Sequence, residues 1–137
     1  MAAITITAAN VVKDANAEIE YGILGATITA GQVVYKNTST GKFELADANS
    51  ATAEVRGPRG VALNGGALNQ PVAVQYGGDI TIGGTAVVGT TYALGSTAGA
   101  IVPVADLTTG DYVSHIGVGI SATKIRLNIK NFGIAVP

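Results

Sequence analysis

In several short stretches of this chain apolar and polar residues alternate one by one, and Gly, Asn, Ser and Thr clusters separate these stretches. A period of two sets successive side chains on opposite sides of an extended backbone, so the pattern builds strands and gives a helix no continuous apolar stripe. The clearest stretches are residues 4–7, 32–36, 42–45, 72–76, 79–82, 112–120 and 124–130. β-Branched Val, Ile and Thr fill them, and 19 glycines punctuate them, as expected of strands and turns. The chain therefore reads as all-β, a single small β-barrel or β-sandwich, the two ways in which many short strands enclose a core. Its 137 residues suffice for one such core and not for two. With no cysteine, packing alone must hold it together. Alternation assigns to the core Ile4, Ile6, Val33, Tyr35, Phe43, Leu45, Val61, Leu63, Val72, Val74, Ile80, Ile82, Leu94, Val113, Ile125, Leu127 and Ile129.

Turn chemistry orders these strands. Residues 37–41 close a hairpin, with Gly41 free to take a positive φ. Gly77 and Gly78 read the same way, as a turn joining 72–76 to 79–82. Residues 47–55 are the one helical candidate, capped by Asp47 or Asn49 and stopped at Gly57 and Pro58, with a loop as the alternative. The chain also hints at an internal repeat. Gly31 to Tyr35 and Val88 to Tyr92 each lead through a turn to an Ala-Asp pair and then to a Gly-Val strand. Tyr35 to Tyr92 spans as many positions as Gly60 to Gly117, and Asp47 to Asp106 only two more. Two duplicated β-units facing each other would form the single β domain, residues 11–137, behind an extended N-terminal arm, residues 1–10. Coincidence in a chain so rich in Gly, Ala and Thr is the other explanation.

Charge is scarce. Only 12% of residues are charged, about half the roughly 25% of an ordinary domain, and from Gly60 to Ala105 Asp79 is the only acid or base. The net charge of -1 implies no nucleic-acid partner. A surface this neutral usually belongs to a chain that buries part of it against neighbours, so a homo-oligomer is expected, with a monomer covered in Thr, Ser, Asn and Gly the alternative. No apolar run is long enough to cross a membrane as a helix, which predicts no membrane partner. The first residues lack the basic start of a secretory signal, which predicts synthesis in the cytoplasm.

No constellation for catalysis emerges. His115 is the single histidine and so the one side chain that ordinarily titrates near neutrality. Alternation sends it to the face opposite its neighbour Ser114, a poor geometry for a Ser-His pair, and a strand histidine with a satisfied hydrogen bond is the plainer reading. Gly117 to Ala122 has the spacing of a dinucleotide-binding loop, but the residues after it alternate as a strand where that loop requires a helix. Asn37 to Ser39 forms a glycosylation sequon that reads as a turn. The five tyrosines read as packing or interface residues, with carbohydrate contact the lesser alternative. No enzyme activity, no cofactor and no metal are expected.

Two features point to contact with a partner. In the last strand Lys124, Arg126, Asn128 and Lys130 share one face, opposite Ile125, Leu127 and Ile129, and no Asp or Glu occurs from Tyr112 to the end. That basic strip serves either as protection of an exposed strand edge or as a docking surface for an acidic protein. At the other end Ile4, Thr5, Ile6 and Thr7 form an uncharged alternating arm suited to pairing with an open sheet edge. These seven residues, Ile4, Thr5, Ile6, Thr7, Lys124, Arg126 and Lys130, are the candidate contacts to a capsid or a neighbouring subunit.

The chain resembles the bacteriophage head decoration, or capsid cement, proteins. The resemblance is carried by Gly31 to Tyr35, Ala46 to Ala48, Gly60 to Leu63, Gln70 to Gln75, Tyr92 to Leu94 with Ala98, Gly99 and Pro103, and Gly110 to Val118. It implies a β-rich structural protein seated as a symmetric oligomer, a trimer before a dimer, on the major capsid protein at the virion surface, where it reinforces the head. Another phage part, such as a tail or surface adhesin module, is the alternative, with a small-ligand binder or enzyme behind it. Nothing in the sequence matches a family motif for contacting capsid subunits.

Overall fold

The computed structural model describes residues 3–137, so Met1 and Ala2 of the expected arm lie outside the described residues. Ten strands form one sheet: β1 (Val11–Lys13), β2 (Glu18–Ile23), β3 (Val33–Lys36), β4 (Phe43–Leu45), β5 (Gly60–Ala62), β6 (Pro71–Ile82), β7 (Thr91–Leu94), β8 (Ile101–Pro103), β9 (Tyr112–Gly119) and β10 (Lys124–Ala135). All named strand pairs are antiparallel, in the order β4-β3-β5-β6-β10-β9-β7-β8, with β1 and β2 added on β6. The all-β class holds. The sheet curls until its far ends meet: Val33 N–H donates to the Gly99 carbonyl, Gly99 N–H to Ala46, and Ala48 N–H to Gly95.

That strand order reads the same from either end, and the reason is a repeated unit. In the first half β3 pairs with β4 and with β5, and β5 pairs with β6. In the second, β7 pairs with β8 and with β9, and β9 pairs with β10. The two units join where β6 lies against β10. Hydrogen bonds repeat as well. Gly31 N–H donates to Ala62 O and Ala62 N–H to Gln32 O; Gly89 N–H donates to Gly119 O and Gly119 N–H to Thr90 O. Gly31 and Gly89 both hold positive φ, 92° and 81°, a conformation that glycine adopts without steric cost. The repeat hinted at by Tyr35/Tyr92 and Gly60/Gly117 is thus a repeat of structure.

One turn assignment is overturned. Gly77 and Gly78 do not end a hairpin; β6 runs through them for 12 residues. Their lack of a side chain serves close approach, because a Cβ on Gly78 would stand 2.9 Å from Ala17 Cα and one on Gly77 would strike the Glu18 carboxylate. The strand bends there and changes partners. Its first half pairs with β2 and β5, its second with β1 and β10. The buried Gln75 amide braces the bend, Nε2 donating to the carbonyls of Gly77 and Asp79. Residues 47–55 form a series of turns rather than a helix.

Two apolar clusters hold the sheet. The larger fills the inside of the curl with Val33, Tyr35, Val61, Ile80, Ile82, Tyr92, Leu94, Ile101, Ile116, Ile125 and Leu127, with Ile4, Ile6, Leu63 and Ile129 at its rim. The smaller lies on the other face of β3 to β6 and joins Leu24, Ile28, Val34, Phe43, Ala62, Val72 and Val74, flanked by Leu45. Val33 and Val34 are both fully buried, each in a different cluster. Val113, expected in the core, is only half-buried and Ile116 is enclosed instead. A register shift against β7, where Tyr92 faces Gly117 and Ala93 faces His115, inserts Ile116 as an extra residue. Such a bulge turns the pattern of faces by one position.

Candidate functional site

The N-terminal arm is seated on its own domain. Ile4 N–H donates to Ile101 O at 3.0 Å and Thr7 N–H to Gly83 O at 2.8 Å. Three glycines make the seat: a Cβ on Gly31 would press into the Ile6 side chain, one on Gly84 would meet Ile4 Cγ2 at 2.6 Å, and one on Gly83 would meet Thr7 O at 2.6 Å. Ile4 and Ile6 turn toward the large cluster, and Thr5 and Thr7 face outward. Held this way, residues 4–7 cap the curl of their own domain. Each partly buried isoleucine contributes at most about 1.5–3 kcal/mol to keeping it there.

The basic strip is also altered by its surroundings. Lys124 Nζ stands 2.7 Å from Asp14, and Arg126 grips Asp79 with Nε and Nη2 at 2.8 and 3.2 Å. Two of the three cations therefore have acids beside them, against the expectation of a strip with none nearby. The acids come from the end of β1 and from β6, far away in sequence. Arg126 and Asp79 sit directly opposite each other in the β6–β10 ladder, and the guanidinium holds the Asp79 carboxyl below its ordinary range. Lys130 is exposed, and no ion pair engages it among the described residues.

Next to Lys130 the sheet forks. β6 pairs with β10 only as far as Asn128, then leaves toward β2, while β10 continues to Ala135 with β9 alone. A cleft of about 560 Å³ opens at the fork, lined by Ile19, Glu20, Pro58, Arg59, Tyr76 and Ile129. Glu20 is clamped between Arg59 Nε at 2.7 Å and Lys36 Nζ at 3.1 Å, and Arg59 first, then Lys36, draws its carboxyl below the usual value against the opposing effect of burial. The sequence alone did not reveal this group. Glu20 belongs to β2, whose alternating residues 18–21 were the available signal, and the β2–β6 and β5–β6 pairings together bring it to Arg59.

His115 is a bonded strand residue, its Nδ1 2.7 Å from Asn128 O. Ser114 turns away from it, and its buried hydroxyl bonds to Arg56 O and Asn131. Large apolar side chains remain outside: Val88 and Val104, Tyr21 (76% exposed) and Ile23 along β2, and Phe132 (54%) and Ile134 (66%) at the end of β10. Among the described residues no cluster of His, Asp and Glu could hold a metal ion. Compared with protein-family models and with curated proteins, the chain matches none.

Proposed function

We propose that this protein is a structural building block that works as one of many copies in a larger assembly, and that the assembly is a phage capsid whose outer surface it decorates and reinforces. The observation that carries the assembly reading is the exposed apolar surface, Tyr21, Ile23, Val88, Phe132 and Ile134, on a chain with so few charges. Exposed apolar groups of this size gain free energy only when a neighbour covers them. The capsid as the site of assembly comes from the resemblance of residues 31–35, 60–63, 70–75 and 110–118 to head decoration proteins.

The surroundings of the seven candidate contact residues divide them. Thr5 and Thr7 present outward-facing side chains and Lys130 an unengaged cation, so these three are offered to the capsid or a neighbouring copy. Ile4, Ile6, Lys124 and Arg126 act within the chain until binding rearranges them. The experiment is co-sedimentation of the purified protein with phage heads that lack it, followed by heating. Saturable binding with a raised temperature of head disruption is the expected result; heads that neither bind nor gain stability would remove the capsid reading.

A further inference from the structure

The open stretch of β10 is a strand edge beside a cleft. From Ile129 to Ala135 the strand is paired with β9 on one side, and no described strand occupies the other. The backbone groups along an unpaired edge are a template for another strand. Here the template stands next to the cleft where β6 swings away, with Ile19, Tyr76 and Ile129 as apolar lining. The flank carries a net positive charge: Glu20 is one acid shared by Lys36 and Arg59, Glu18 stands at Gly77 where the strands part, Lys130 adds an unengaged cation, and no acid occurs from Tyr112 onward. Phe132 and Ile134 lie exposed beyond it, on a stretch where the β9–β10 register shifts and Gly133 holds φ 67°.

We propose that this edge of β10 receives an extended acidic segment of another polypeptide, which adds as a strand beside residues 129–135, sets an apolar side chain into the Tyr76 cleft and places its carboxylates against Lys130 and Arg59. Main-chain hydrogen bonds supply affinity in this mode, and side-chain pockets supply choice. A lysine on a bare edge repels cationic strands and admits anionic ones, so one residue gives both protection from indiscriminate pairing and selection of the partner. The exposed Phe132 and Ile134 distinguish this edge from one built only to be left alone. The inference rests on the reading of the protein as an assembly component and names the kind of partner that one face would take.

The test uses the full chain and two synthetic peptides, one alternating valine with glutamate and one alternating valine with lysine. Backbone amide shifts are followed by NMR in the parent and in Lys130→Glu, a position with no ion pair to lose. The expected result is that the glutamate peptide shifts the amides of residues 129–135 and Tyr76, and that Lys130→Glu weakens it by roughly tenfold while favouring the lysine peptide. No shift along β10, or equal shifts from both peptides, would overturn the inference. Co-sedimentation of the parent protein with heads, measured in parallel, separates the two levels. Heads bound by the parent with a silent peptide experiment leave the decoration reading standing and remove this one; parent protein that ignores heads removes the former whatever the peptides do.

Discussion

Gly60 and Gly117 occupy the same place in the two halves of the sheet: a Cβ on either would stand 2.8 Å from a β-branched side chain of the next strand, Val74 in one case and Ile125 in the other. Each would also press on the carbonyl oxygen of the following residue, Gln75 or Arg126. Backbone cannot yield as a flexible side chain does. Gly60→Ala and Gly117→Ala should therefore cost comparable amounts, about 1–3 kcal/mol each, the range for overpacking a filled interior. Urea unfolding of the two variants measures this, and a neutral effect at one position alone would show that the halves are not packed alike.

The seated arm makes a prediction about stability independent of any partner. Removing residues 2–7 takes away Ile4 and Ile6 and leaves the seat of Gly31, Gly83 and Gly84 open. A loss of about 2 kcal/mol in unfolding free energy is expected from the apolar area uncovered. A shortened chain that unfolds at the same urea concentration as the parent would show that the arm contributes nothing when docked on its own domain.

Acid should weaken the fold. Arg126 holds Asp79, Arg59 and Lys36 hold Glu20, and the Thr38 hydroxyl and amide hold Glu54, all three carboxyls with lowered pKa. A folded pKa below the unfolded one means stabilisation that is complete above the unfolded value and lost as pH falls through the folded one. The melting temperature should be flat from neutrality to about pH 5 and fall below about pH 4. Asp79→Asn and Glu20→Gln should each flatten that fall; an unchanged acid limb in both variants would contradict the assignment.

The proposal of an assembly component predicts self-association through the exposed apolar side chains. Light scattering at micromolar concentration should return a closed homo-oligomer, a trimer by the resemblance, since closed symmetry is the usual outcome of self-association. Tyr21→Ser with Ile23→Ser, and Phe132→Ser with Ile134→Ser, test the two largest exposed groups. At least one pair should shift the protein toward the 13.6 kDa chain, whereas a monomeric parent would confine assembly to the capsid itself.

Much of the strand pattern was legible because each half-buried strand writes its faces into an alternating sequence. Residues 32–36, 42–45 and 124–130 are of this kind, and so are the core positions Val33, Tyr35, Ile125 and Leu127. Three features were not. Gly77 and Gly78 carry the composition of a turn, but their reason is the approach of Asn16, Ala17 and Glu18, which no local pattern records. Ile116 replaced Val113 in the core because a bulge changes faces without changing composition. The strip of Lys124 and Arg126 looked free of acids since Asp79 reaches it through the β6–β10 ladder and Asp14 through the β1–β6 pairing beside it. Contacts between residues far apart in sequence leave no mark on either neighbourhood alone.

The palindromic strand order has one more consequence. The halves are joined by the segment between β6 and β7, which carries the exposed Val87 and Val88, and they meet along β6 and β10 over a shared interior. Joined this way, each half meets the other at the high effective concentration set by a short tether. Cutting the chain at Val88 would turn one folding reaction into the association of two complementary fragments, with a midpoint that depends on concentration. The native molecule is in that sense a heterodimer whose partners are never allowed to part.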